Sequence, residues 1–149
     1  MNRQIRNSAK ALIIKDGKML AIRLRDEDGE FYLMPGGGQN SEELLHETVK
    51  REVAEEIGIL VEPKELVFAI ECLNEESYHR VDLVFLCKYI KNIDNNELHE
   101  DKNQIGFEWL PIIRLKEIPL YPKKLRTQIM QLYKNKKYDV YLGNEDKEE

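Results

Sequence analysis

The sequence predicts an α/β fold, a mixed sheet between helices, on three observations. Apolar runs of strand length recur on both sides of a central stretch with helical periodicity. The punctuation between them is turn chemistry rather than long linkers, and a second helical pattern closes the chain. The resulting order is β-β-β-α-β-β-β-α, with no internal repeat.

Residues 9–15 (AKALIIK) and 18–25 (KMLAIRLR) are joined by Asp16-Gly17, a strong hairpin signal. In the second run Leu20, Ile22 and Leu24 alternate with Ala21, Arg23 and Arg25, so one face is core and the other is partly cationic. Arg23, deeper in the strand, reads either as a solvated strand residue or as a phosphate contact. The segment 26–30 (DEDGE) is a polar loop, and FYLMPGGG leads from a short strand, ended by Pro35, toward the helix. Three successive glycines there let backbone groups approach a ligand.

The central helix is expected over about 41–57. Asn40 with Glu43 three residues on resembles a capping box, and Gly58 can take the left-handed conformation that ends a helix. Leu45, Val49, Val53 and Ile57 form one apolar stripe, which must face a core. Strands are next expected at 65–72 (ELVFAIEC) and at 81–90 (VDLVFLCKYI), the latter apolar on both sides as an interior strand would be. Residues 91–104 are polar and loop-like. GFEWLPI (106–112) is strand-like with Trp109 in the core, and Pro122 opens a helix to about Lys136 with Leu125, Ile129 and Leu132 on one face. Residues 1–142 are expected to form a single domain, and the polar segment 143–149 a disordered tail.

At 149 residues the chain can bury a sizeable core but has no room for a second catalytic domain. Its net charge of −5 argues against general nucleic-acid binding, which needs a basic footprint, so a small ligand is expected. No stretch reaches the ~18 apolar residues of a membrane span, and the N-terminus lacks a signal-peptide run. A cytoplasmic protein without membrane association is expected. Cys72 and Cys87 sit in apolar runs without metal-ligand spacing and read as buried reduced thiols.

The central helix carries the chemistry. Glu56 falls inside its apolar stripe, Glu52 on the edge and Glu55 just beyond, so three carboxylates gather beside buried surface. Like charges at this spacing cost roughly 0.2–0.5 kcal/mol per pair, and desolvation adds to that. A divalent cation would relieve both. Oxygen-only donors that leave room for water and phosphate favour Mg²⁺ or Mn²⁺ over a closed calcium cage. The competing reading is a solvated acidic face with pairs such as Glu47–Arg51.

The spacing decides between them. Gly37, five residues, Glu43, seven residues, then Arg51-Glu52-Val53, one residue, Glu55-Glu56, one residue and Gly58-Ile59 resembles the complete signature of the Nudix hydrolases. The resemblance covers residues 37–59 and implies an α/β/α sandwich with a mixed central sheet, of MutT-like type. It also implies hydrolysis of a phosphoanhydride in a nucleoside diphosphate linked to another group: a nucleoside triphosphate, a nucleotide sugar or a dinucleoside polyphosphate.

On that resemblance Glu52, Glu55 and Glu56 bind Mg²⁺ or Mn²⁺, helped by the Gly37 carbonyl and by an acidic residue of the 91–104 loop, Glu100 before Glu97. Glu52 is also the base. Arg51 and Glu43 support the site without touching metal. Arg23 and Tyr78 are the candidate substrate contacts, although Tyr78 is near, not on, the position of the family's dinucleoside-polyphosphate tyrosine. The proline that marks ADP-ribose enzymes has no counterpart in CLNEES. Homodimers are frequent among such proteins. The alternative is a non-catalytic nucleotide sensor, and an intact signature with no room for an output domain weighs against it. Removal of phosphate caps from RNA sits poorly with the acidic balance.

Overall fold

A computed structural model describes residues 4–73, 78–93 and 103–145, with only the backbone of Tyr78 included. The first hairpin forms as its sequence requires. β1 (Gln4–Lys15) and β2 (Lys18–Asp26) pair antiparallel around Asp16 (φ 52°) and Gly17 (φ 76°), the two positive φ values of a type I′ turn. A second tight turn follows in place of the expected loop, because β2 runs on to Asp26 and β3 (Gly29–Leu33) starts at Gly29.

After Pro35 the chain makes a strand that side-chain periodicity does not announce. β4 (Gly36–Gly38) lies antiparallel to the outer half of β1, with Gly36, Gly37 and Gly38 opposite Lys10, Ala9 and Ser8. The helix α1 (Leu45–Ile57) begins four residues later than expected. Glu42 adopts φ 66°, which breaks the helical path, so Asn40 and Glu43 form a turn ahead of the helix instead of its cap. The capping contact is made one turn on, where the Leu44 N–H donates to Glu47 Oε1 at 2.8 Å. Gly58 ends the helix in the left-handed conformation, its N–H on the Ala54 carbonyl.

β5 (Ile59–Cys72) starts directly after Gly58 and is longer than its apolar part, with irregular pairing around Pro63, which has no N–H to give the ladder. β6 (Tyr78–Asn92) lies between β5 and β1, parallel to β1 over ten residue pairs, which explains its apolar character on both faces. β7 (Gln104–Pro111) pairs with β2, and a 3₁₀ turn over Ile112–Glu117 leads to β8 (Leu120–Tyr121) beside β3. The last helix, α2 (Lys124–Tyr133), is shorter at both ends than expected. β9 (Tyr141–Asn144) then joins β5 in parallel, so the segment expected as a tail from residue 143 begins inside the sheet.

The mixed sheet runs β8-β3-β2-β1-β6-β5-β9, with β4 and β7 added on β1 and β2. Two apolar layers cover its faces. On one, Val49, Val53 and Ile57 of α1 pack on Ala9, Ala11 and Ile13 of β1 and on alternate residues of β2, with Trp109 against them. On the other, Leu125 and Ile129 of α2 pack with Leu12, Phe68 and Val84. Burying Val49 and Val53 stabilises by roughly 1.5–3 kcal/mol each, far more than the repulsion among the helix glutamates opposes. Cys72 and Cys87 are buried, and burial pushes the Cys87 thiol up to about 12. Among the described residues no helix is long and apolar enough to cross a membrane.

Candidate active site

The glycine strand β4 and the helix α1 meet edge to face, and a side chain at Gly36 or at Gly37 is opposed for different reasons. Gly36 has φ 141°, and a Cβ there would stand 2.1 Å from the Ala9 carbonyl oxygen. Its N–H donates to Glu56 Oε1 at 2.8 Å, a buried bond that ties helix to strand. A Cβ on Gly37 would lie 2.4 Å from Glu52 Cδ and within 2.7 Å of both carboxylate oxygens. The Glu52 carboxylate therefore rests directly against the backbone of Gly37.

Arg51 organises what lies around that contact. Its Nε and Nη2 donate to Glu43 Oε2 and Oε1 at 2.8 and 3.1 Å, a two-point pair. Nη2 also reaches the Gly38 carbonyl at 3.1 Å, so the guanidinium joins helix, preceding turn and glycine strand. Nη1 donates to Glu52 Oε1 at 3.0 Å and to Glu55 Oε2 at 3.4 Å. The arginine thus holds two of the candidate carboxylates in one orientation, and the hydrogen bond to Glu43 is the main cause that raises its own pKa.

Glu43 accepts further bonds from Thr48 Oγ1 at 2.7 Å and from the Asn40 N–H at 3.1 Å. Hydrogen bonds from Arg51 first, then Thr48, hold its carboxyl down to about 2. A group depressed in the folded state contributes stability above its unfolded pKa, which is lost as pH falls toward the folded value. Glu43→Gln is accordingly expected to melt at a lower temperature than the parent at pH 7. The gap should close between about pH 4.5 and 2, and a gap that persists unchanged at pH 2.5 would contradict this account.

The structure brings together Gly37, Glu43, Arg51, Glu52 and Glu55, as the resemblance implies. Glu56 stands behind them, 5% exposed, with Gly36. Among the described residues no three His, Cys, Asp or Glu side chains converge into a ready-made metal cage. The donor chemistry nevertheless suits a hard divalent cation: oxygen atoms only, on one helix, facing a bare glycine backbone. Arg51 Nη1 is the positive group between Glu52 and Glu55 here.

Arg23 is not brought to this cluster. It follows Met19 and Ala21 on the face of β2 turned from α1, and donates to Glu30 at 2.8 Å across the β2–β3 pair. That hydrogen bond is the first cause raising its pKa. Arg6, whose Nη2 would lie 3.6 Å from a Cβ on Gly38, stands beside the glycine strand, but it shares the α2 face of β1 with Leu12, on the other side of the strand from Glu52. Its position three residues before the first apolar run hid it from periodicity. Glu97, Glu100 and the side chain of Tyr78 lie outside the described residues.

An acidic helix clamped over a glycine strand, on a mixed sheet between two helical layers, is an arrangement that suits phosphoanhydride hydrolysis. The chain matches the NUDIX domain over residues 5–131 and belongs to that family, which makes it a pyrophosphohydrolase. Solved structures with this fold include a MutT NUDIX hydrolase from Burkholderia pseudomallei (24% identity, 83% of this chain and 96% of that one, TM-score 0.67). An ADP-ribose pyrophosphatase from Streptococcus suis is similar at 20% identity over 95% and 98% of the two chains, TM-score 0.62. A UDP-X diphosphatase is similar at 18% identity over 95% and 69%, TM-score 0.70. At such identities the likeness is one of fold. Among curated proteins none matches the chain.

Proposed function

We propose that this enzyme hydrolyses, with Mg²⁺ or Mn²⁺, a phosphoanhydride bond in a nucleoside diphosphate linked to another group. The observation that carries the reading is the Glu52 carboxylate seated against Gly37 and braced by Arg51. A divalent cation held by Glu52, Glu55 and Glu56 would supply charge neutralisation at the phosphate oxygens and lower the pKa of a bound water. The chain's own residues do the rest. Glu52 Oε1 is engaged by Arg51, while Oε2 accepts no protein hydrogen bond among the described residues and is open to a water proton. The water oxygen bonds to one phosphorus, its proton passes to Glu52, and the bridging P–O bond breaks with its electron pair on the departing phosphate.

Arg51 and Glu43 fix the Glu52 rotamer, so that alignment precedes substrate arrival. Arg6, beside Gly38 on the α2 side of the glycine strand, supplies positive charge for a phosphate that reaches that edge. Arg6→Ala is expected to raise KM several-fold with little change in kcat, whereas Arg23→Ala, whose partner is Glu30, is expected to leave both within about twofold. A larger KM effect at Arg23 than at Arg6 would return the phosphate role to Arg23.

Divalent metal is also expected to stabilise the fold, since it relieves repulsion among the helix carboxylates. Binding to the native state alone adds about 2.7 kcal/mol at a hundredfold excess over Kd. A melting temperature indifferent to millimolar Mg²⁺ and Mn²⁺ would count against the metal site. The test of the function itself is a panel of nucleoside triphosphates, nucleotide sugars, ADP-ribose and dinucleoside polyphosphates with Mg²⁺, scored for released phosphate, pyrophosphate or nucleoside monophosphate. Turnover of at least one class is expected. Tight binding with no turnover of any would leave a nucleotide sensor.

A further inference from the structure

The strands that carry the candidate active site on their α1 side carry a second polar constellation on the α2 side. Leu12 of β1 and Val84 of β6 belong to the α2 layer, and Lys10 and Asp82 stand two residues before them, hence on the same face. The register sets Gly38, Ser8 and Asp82 in one row across β4, β1 and β6, with Gly36, Lys10 and Val84 in the next. Lys10, Arg80, Asp82, Val84 and Leu125 line one cleft there.

Asp82 is an unusual group to find in such a place. Its side chain is 5% exposed, and one oxygen, Oδ1, accepts Arg80 Nε at 2.9 Å. The other oxygen takes no hydrogen bond from the described protein. Arg80 neutralises the charge and also faces Glu145 at 3.6 Å. What remains at Asp82 is a second carboxylate oxygen without a donor among the described residues, on a side chain that lines the cleft. Lys10, half-buried, has no hydrogen bond or ion pair among the described residues, so an ammonium donor waits beside it. Strand spacing and rise put the two Cα atoms about 8 Å apart.

We infer that this cleft selects the base of the nucleotide, and that Asp82 and Lys10 favour guanine and uracil or thymine over adenine and cytosine. The inference rests on the nucleotide reading of the active site. Only the keto bases place a ring N–H directly beside a carbonyl. The N–H of such a lactam is acidic enough to be a strong donor to the free Asp82 oxygen, and the adjoining carbonyl is the better acceptor for the Lys10 ammonium. Adenine has no carbonyl. Cytosine has one, but its neighbour is a ring nitrogen without hydrogen. A site built to bond a specific donor and acceptor rejects analogues that lack them far more strongly than an apolar pocket does.

Access agrees with the assignment. β4 pairs only with β1 among the described strands, and its three glycines present no side chains on either face. A ligand whose phosphates lie at Gly37 on the α1 side can therefore pass the outer edge of β4. β6 is two strands from β4, about 10 Å at normal strand spacing, which a nucleoside spans.

The test is equilibrium binding of GMP, UMP, AMP and CMP to the full chain by calorimetry, which needs no turnover. GMP and UMP are expected to bind at least tenfold tighter than AMP and CMP. Asp82→Asn, which swaps half the acceptor for a donor, is expected to bring the four within about twofold. Lys10→Met, on a half-buried residue with no partner among the described residues, keeps the test valid if the Asp82 variant fails to fold, and is expected to weaken GMP and UMP selectively. Equal affinity for all four, no measurable binding of any, or a preference that survives both substitutions would overturn the assignment. Phosphoanhydride turnover without base preference would leave the proposed function standing while this inference falls.

Discussion

Glu52→Gln is expected to lower kcat by about 10²–10⁴ while the protein folds as before. The loss is that of a general base, and it falls on kcat because the residue acts on the water and not on the nucleotide. Gln keeps the length of the side chain and an oxygen that can still accept Arg51 Nη1, so the brace survives and only charge and basicity go. Removing one of several like charges on α1 leaves stability unchanged or slightly raised. Glu47→Gln is the control on the same helix. Its carboxylate accepts the Leu44 N–H, a role the amide oxygen can keep, and it lies outside the cluster. If Glu52→Gln and Glu47→Gln both retain near-parental turnover on the best substrate, α1 is not the catalytic helix.

Much of this site was legible because one helix carries it. Spacing alone placed Glu52, Glu55 and Arg51 on adjoining turns, and the apolar stripe of Val49, Val53 and Ile57 told which way they lean. What failed to show is what depends on other strands. The helix start was misplaced because Asn40 and Glu43 carry a capping pattern, while the left-handed Glu42 between them diverts it into a turn. Three glycines have no periodicity, so β4 was invisible as a strand, and with it the strand's pairing with β1. Arg6 was passed over because only pairing with β4 brings the start of β1 beside the glycine strand. Likewise nothing in the order of residues sets Ser8 opposite Asp82, since the register of a parallel pair is chosen by packing and not by a connecting turn.

Gly37→Ala is expected to separate activity from folding, because of what the added methyl would meet. Gly37 has no positive φ that only glycine tolerates, and the atoms in the way belong to the end of a flexible side chain, Glu52 Cδ at 2.4 Å and its oxygens within 2.7 Å. That carboxylate can swing aside at little cost in stability. It cannot swing aside and remain placed for the water, and a misplacement of about 1 Å costs on the order of 10²-fold in rate. Gly36→Ala is the contrasting variant. There the methyl would stand 2.1 Å from a backbone oxygen of β1 at φ 141°, and the N–H bonded to Glu56 would be displaced, so the protein itself should be destabilised. The expected pattern is a Gly37→Ala protein with a near-parental melting temperature and kcat down about a hundredfold, beside a Gly36→Ala protein that melts well below the parent. Full activity in Gly37→Ala would mean that the contact between Glu52 and the glycine strand does not align the reaction.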